Sequence, residues 1–186
     1  MGKQEQLKSL NKKWARDCAC ALRAVATQPV FGNGNTEASI LFIGEAPGKK
    51  EDACGIPFVG SSGKFLDELL ASIALRREDV YITNIVKYRP PDNRDPRPEE
   101  ISACLKWLEE EIKIINPKLI VTLGRHALSH FLPKGKISEM HGKVFQQDIS
   151  GIGSKKIFPL YHPAAALYNG SFRSTLVRDF KKIVKI

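Results

Sequence analysis

Between Gly44 and Gly60 the chain reads GEAPGKKEDACGIPFVG, which places one carboxylate, Glu45, in a turn and one aromatic, Phe58, in a loop. The apolar run Ile40-Leu-Phe-Ile43 before it is of the kind that forms a buried strand. Gly44, Pro47 and Gly48 then force a sharp turn from which backbone N–H groups can point at a ligand. An acid and an aromatic plate just past a strand suit a pocket floor at the carboxyl edge of an α/β sheet, where ligands bind. Three later sites have the same relation to an apolar run: Asn84, Gly124-Arg125 and His162. A stacking face, an amide with a donor and an acceptor, and an imidazole donor for a carbonyl oxygen together suit an extruded pyrimidine. Taken singly, each has an ordinary role: Phe58 in the core, Asn84 satisfying a strand end, His162 in a turn. Their common position at strand ends favours the site.

The elements that must hold these residues follow from periodicity. Residues 4–24 carry Leu7, Leu10, Trp14, Cys18 and Leu22 at helical spacing, and Phe31-Gly-Asn-Gly-Asn35 is turn chemistry. Strands are expected at about Ser39–Gly44, Val80–Val86, Leu119–Leu123 and Ile157–Tyr161. Helices are expected from Ser62-Gly63, over Glu99–Ile115, from Gly124-Arg125 to near Pro133, and over Arg173–Ile186. The segment Lys87–Pro98 has four prolines and can be neither helix nor interior strand. This alternation predicts a three-layer α/β/α sandwich around a four-stranded parallel twisted sheet. No repeat or linker interrupts it, so residues 1–186 read as one domain, with 1–30 a helical segment packed on it.

With 29 Lys+Arg against 20 Asp+Glu the net charge is +9, the footprint expected of a nucleic-acid binder. No apolar run is of membrane-spanning length, and Met1-Gly-Lys-Gln-Glu-Gln is too polar for a secretory signal. Four cysteines in such a chain point to free thiols and a cytoplasmic setting.

The block Gly44-Glu-Ala-Pro-Gly48, Glu51-Asp52, Gly55 and Pro57-Phe-Val-Gly60 resembles the first motif of family 4 uracil-DNA glycosylases. Thr83-Asn-Ile-Val-Lys87 with Arg89-Pro-Pro-Asp-Asn-Arg94, Pro96, Pro98 and Glu99-Glu100 is similar to the second, and His162-Pro-Ala-Ala165 to the last. The resemblance, which runs from about Trp14 to the C-terminus, implies excision of uracil from flipped-out deoxyuridine, by a monomer acting on single- or double-stranded DNA. Uracil would stack on Phe58 within the turn of Gly44, Glu45, Ala46 and Pro47. Asn84 would read the O4/N3 edge, Glu45 with Ala46 would crowd C5, and His162 would donate to O2. Glu45 has two open roles, holding the attacking water or stabilising the sugar cation. Lys87, Arg89, Arg94 and Arg125, with Ser62 and Gly63 at a helix start, would meet DNA phosphates. After His162, the segment with Pro163 and Ala164 would bring Leu167 or Tyr168 into the gap left by the base. Two rival readings share these residues: a non-catalytic DNA-binding module, and a glycosylase shifted to hypoxanthine or mismatched thymine.

The resemblance also implies four cysteines around a [4Fe–4S] cluster, and here the chain departs from it. The four positions fall on Asp17, Cys20, Tyr88 and Cys104. Cys18 is one residue out of register and Cys54 lies in the active-site loop. A slipped set of Cys18, Cys20 and Cys104 still lacks a fourth thiolate. The expectation is therefore no cofactor and no metal, with Tyr88 packed against the N-terminal helix.

Overall fold

A computed structural model describes all 186 residues. Six strands form one sheet: β1 (Asn33–Gly34), β2 (Ile40–Gly44), β3 (Tyr81–Asn84), β4 (Leu119–Leu123), β5 (Phe145–Ile149) and β6 (Gly153–Leu160), in the order β1-β3-β2-β4-β6-β5. The central four are parallel and coincide with the four expected strands, while β1 and β5 add antiparallel edges. The sheet therefore has six strands rather than four, and the α/β class stands. The edges escaped notice for physical reasons. β1 is two residues long, and β5 (Phe-Gln-Gln-Asp-Ile) is only half-buried on alternate positions.

The helices are α1 (Lys3–Asp17), α2 (Lys49–Cys54), α3 (Ser61–Ala71), α4 (Pro98–Ile115), α5 (Arg125–Phe131), α6 (Ile137–Met140), α7 (Pro163–Tyr168) and α8 (Gly170–Ile183). Successive strand residues point to opposite faces, and the core divides accordingly. Leu41, Ile43, Tyr81, Ile120 and Ile157 meet Trp14 of α1, Trp107, Leu108 and Ile112 of α4, and Phe131 of α5. Phe42, Ile82, Val121, Phe158 and Leu160 meet Phe65, Leu66 and Leu69 of α3, and Leu176 and Phe180 of α8. Strand order reverses about β2, with β3 on one side and β4 on the other, so the ligand crevice of such a sheet opens past Gly44.

The expected helix over 4–24 is shorter. It stops at Asp17, Cys18 turns extended, and a 3₁₀ turn follows at Ala21–Ala24. Leu22 keeps its buried place across the break, which is why the apolar spacing read as continuous helix. The proline-rich segment contains one 3₁₀ turn, Pro91–Asn93, with Asp92 and Asn93 at φ 55° and 54°. It then enters α4, where Glu100 reaches back to the Arg97 N–H at 2.7 Å.

Candidate active site

Gly44 and Asn84 are register partners at the ends of β2 and β3, so the Asn84 side chain lies over a residue with none of its own. A Cβ on Gly44 would come within 2.6 Å of Phe58 Cζ and closer still to Asn84 Oδ1. Glycine here makes room for an amide and an aromatic ring to converge. Asn84 is 2% exposed, and its Oδ1 is buried with no hydrogen-bond partner in the protein. Since buried polar atoms are nearly always paired, an orphan in a pocket marks the place of a ligand's donor.

Phe58 is held in an unusual backbone state, φ 54°, which is strained for a residue with a bulky side chain. Its surroundings enforce it. Arg77 donates to the carbonyls of Pro57 (3.0 Å) and Phe58, and itself pairs with Asp67 at 2.5 Å. Buried Glu51 of α2 accepts from the N–H groups of Val59 (2.8 Å) and Gly60 (2.7 Å). Gly63 in the first turn of α3 lets the Phe58 carbonyl pass where a Cβ would overlap it. This bracing keeps the ring facing His162, their centroids 5.6 Å apart and planes 29° off parallel.

His162 caps α7, its Nδ1 accepting from the Ala164 N–H at 3.1 Å. A bare Nδ1 puts the ring proton on Nε2, so the free nitrogen is a donor. Burial pushes the His162 pKa down to about 4, with Glu51 acting weakly the other way. The ring is therefore neutral near pH 7.

Ala46, Gly48, Lys49, Lys50, Glu51, Phe58, Gly60, Ser61, Ser62, Asn84 and His162 line a cavity of about 290 Å³. Glu45 lies one residue from this wall and turns its carboxylate toward α5, with Oε2 3.7 Å from His126 Nε2. Its pKa is raised by burial, opposed by His126. His126 Nε2 is in turn 3.1 Å from Asp95 Oδ2, which Arg125 also engages at 2.7 Å. Oxygen and nitrogen atoms of Glu45, Asp95 and His126 lie within 4.8 Å of one another. The Arg125 guanidinium already neutralises Asp95, which disfavours a divalent cation in that space.

The sequence-predicted residues divide in the structure. Phe58, Asn84, His162 and Ala46 share the cavity, with Gly44 beneath it and Pro47 buried beside it. Ser62 is on the rim, while Gly63 is buried and serves Phe58. Leu167 and Tyr168, 47% and 91% exposed, stand out from α7, with Pro163 at its first turn and Ala164 capped by His162. Lys87 is a correction: it does not reach phosphate. It is 3% exposed, and its Nζ donates to Thr83 Oγ1, to the Asn84 carbonyl (2.9 Å) and to Glu111 Oε2 (2.6 Å). Glu111 also accepts from Tyr81 (3.1 Å) and Thr83 (3.0 Å), so this buried network fixes the end of β3 and the backbone of Asn84. Arg94 is likewise engaged internally, with two bonds to Glu100 at 2.6 and 2.8 Å. Arg89 bonds Asn93 at 2.8 Å and Arg125 bonds Asp95, both near the surface. Sequence reasoning passed over Lys49, Lys50, Glu51, Ser61, Asp95 and His126. The adjacent lysines after GEAPG were a legible charge signal, whereas no spacing brings Asp95 to His126.

On the α1–α4 side of the sheet, Cys18, Cys20 and Cys104 are buried together. The mutual proximity of the three thiols lowers the pKa values of Cys18 and Cys20 and raises that of Cys104. Cys18 and Cys20 also reach the α4 carbonyls of Ala103 (3.6 Å) and Glu100 (3.9 Å). Tyr88 is 3% exposed, its ring 4.8 Å from that of Trp14. Asp17 is exposed and pairs with Arg16 at 2.6 Å. Three thiols beside a packed tyrosine do not fit a cluster that needs four thiolates.

Residues 31–185 match the family model of the uracil DNA glycosylase superfamily. The chain is 49% identical over 170 residues to a type-4 uracil-DNA glycosylase of Archaeoglobus fulgidus, covering 88% of this chain and 84% of that one. It is 48% identical over 170 residues to one of Saccharolobus solfataricus, covering 88% and 78%. With one of Thermotoga maritima it shares 44% identity over 182 residues, covering 96% and 94%. A bare Asn84 acceptor, a braced aromatic ring and a neutral imidazole around one cavity agree with these matches: the chain belongs to the type-4 uracil-DNA glycosylases of the uracil-DNA glycosylase superfamily.

Proposed function

We propose that this protein excises uracil from DNA by hydrolysing the N-glycosidic bond of a flipped-out deoxyuridine, leaving an abasic site. The observation that carries the reading is the orphaned Asn84 Oδ1, buried over Gly44 between Phe58 and His162. Uracil N3–H donates to that oxygen while the Asn84 amide N–H donates to O4. Cytosine offers an acceptor and a donor in the reverse order and is rejected. Ala46 walls the cavity where thymine's methyl would project. As the bond breaks, negative charge develops on the base, and His162 Nε2–H stabilises it at O2 without giving up its proton. Glu45, outside the stacking cavity, faces the sugar, where its charge favours the oxocarbenium-like transition state and its oxygen receives the proton of the attacking water.

DNA is held by the basic rim of Lys49 and Lys50, by the free N–H groups at the α3 start beside Ser61 and Ser62, and by Arg89 and Arg125. Leu167 fills the gap in the stack, with Tyr168 beside it. The protein works as a monomer on single- or double-stranded DNA. It runs without an iron–sulfur cluster, Tyr88 occupying that corner against Trp14.

The test is single-turnover cleavage of oligonucleotides carrying uracil, cytosine or thymine at one site. Wild type cuts only at uracil, and Asn84→Asp, which sets a carboxylate against O4, slows that cleavage by about 100-fold. Unchanged uracil excision in Asn84→Asp contradicts the assigned role. Tight binding without excision by wild type favours the non-catalytic module instead.

A further inference from the structure

We infer that His126, oriented by Asp95, is a positioning residue that keeps Glu45 ionised by taking over the proton Glu45 collects from the attacking water. The inference rests on the role given to Glu45 above and assigns it a partner that no motif identifies.

The geometry is specific. His126 is the second residue of α5, which begins at the carboxyl end of β4, and Glu45 follows the end of β2 on the adjacent strand. Asp95 reaches the same point from the proline-rich loop. His126 Nε2 has two exclusive sets of partners: bare, it accepts from Arg125 Nε at 3.0 Å; protonated, it donates to Asp95 Oδ2 at 3.1 Å. Glu45 Oε2 stands 3.7 Å from the same nitrogen, so a small side-chain rotation closes the hydrogen bond. The ring can thus change protonation state with a partner ready in each.

The charged groups acting on Glu45 are His126 and Arg125 from α5, which favour the carboxylate, and Asp95 from the loop, which opposes it. Those facing His126 are Asp95, Arg125 and Glu45. On the α2 side, Glu51 is turned to the Val59 and Gly60 N–H groups. His162 bonds its own helix start.

The step balances without an added reactant. Water oxygen bonds to C1′ as the C1′–N1 bond breaks, and that electron pair leaves with uracil as its anion. The water proton passes to Glu45 and then to His126 Nε2, which releases Arg125 and is held as imidazolium by Asp95. Solvent finally takes the proton, and the uracil anion is protonated on release.

The experiment is the pH profile of the single-turnover excision rate for wild type, His126→Gln, Asp95→Asn and Glu45→Gln, with thermal melting to verify folding. Glu45→Gln identifies the limb that belongs to Glu45 by removing it. His126→Gln is expected to move the Glu45 limb to higher pH by about one unit, because the side chain that draws the proton from Glu45, and as imidazolium favours its carboxylate, is gone. Asp95→Asn is expected to move it to lower pH, because the opposing charge is gone. A packing role for either residue would lower the rate without moving the limb. A wild-type Glu45 limb that stays fixed in His126→Gln overturns the inference. A profile unchanged in Glu45→Gln overturns the role of Glu45 itself.

Discussion

Two buried clusters flank the same sheet and differ in how their polar capacity is used. In the cavity past β2, Asn84 Oδ1 has no partner, Phe58 is held at positive φ, and His162 aims a donor at space. On the other side of the sheet, Cys18 and Cys20 reach α4 backbone carbonyls beside Cys104, and the remaining corner is filled by Tyr88 packed at a tilt against Trp14. The first region leaves a buried acceptor unused within a cavity. In the second, side chains pack closely in the core and no strained ring lines a cavity, although Trp14 Nε1 is also buried without a partner. An unpartnered acceptor lining a cavity beside a ring held in strain marks a site that acts, whereas close apolar packing around interior thiols and indoles marks one that supports.

The contrast sharpens most at His162. His162→Ala removes the donor to the developing anion and is expected to lower the single-turnover rate by about 100- to 1,000-fold. DNA affinity measured by fluorescence anisotropy should change little. A loss of binding equal to the loss of rate would turn His162 into a docking residue.

Gly44→Ala comes next, because its Cβ collides with both Asn84 and Phe58. A rate loss of about 100-fold, with DNA binding retained, is expected from displacing the stacking ring and the reading amide by an ångström or so. The same change at a glycine with open space around it, Gly170, should do nothing measurable.

Glu111→Gln tests support rather than chemistry. It leaves Lys87 as a buried cation with a neutral partner beneath Asn84, and breaking such a pair costs about 3 kcal/mol. A marked drop in melting temperature should accompany a slower rate.

The smallest effect belongs to the thiol cluster. Cys18→Ala should cost about 1–2 kcal/mol of stability for lost packing and leave the excision rate unchanged. A collapse of activity there would make the two regions one functional unit.

The difference between the two regions also governs what could be read in advance. The four parallel strands are covered on both faces, so Ile40–Ile43 and Leu119–Leu123 stand out as continuous apolar runs. Glu45 and His162, just past the ends of β2 and β6, and Asn84, at the end of β3, inherit their positions from that pattern. Groups whose partners lie far along the chain were not legible. Lys87 looked like a surface cation in a basic loop because its carboxylate, Glu111, is 24 residues away. His126 looked like one helix residue among others because Asp95 meets it only through the path of the proline-rich loop. Tyr88 is readable as a departure from a cysteine pattern, but its tilted packing against Trp14 depends on the end of α1 at Asp17.

The measurement that bears most directly on the central claim is single-turnover cleavage of a uracil-containing oligonucleotide in the presence of an iron chelator, with iron assayed on the same protein sample. Full excision with no iron bound is the predicted result, since the steps assigned to Glu45, Asn84 and His162 use this chain's own side chains. Activity that scales with bound iron and disappears with it would contradict the account.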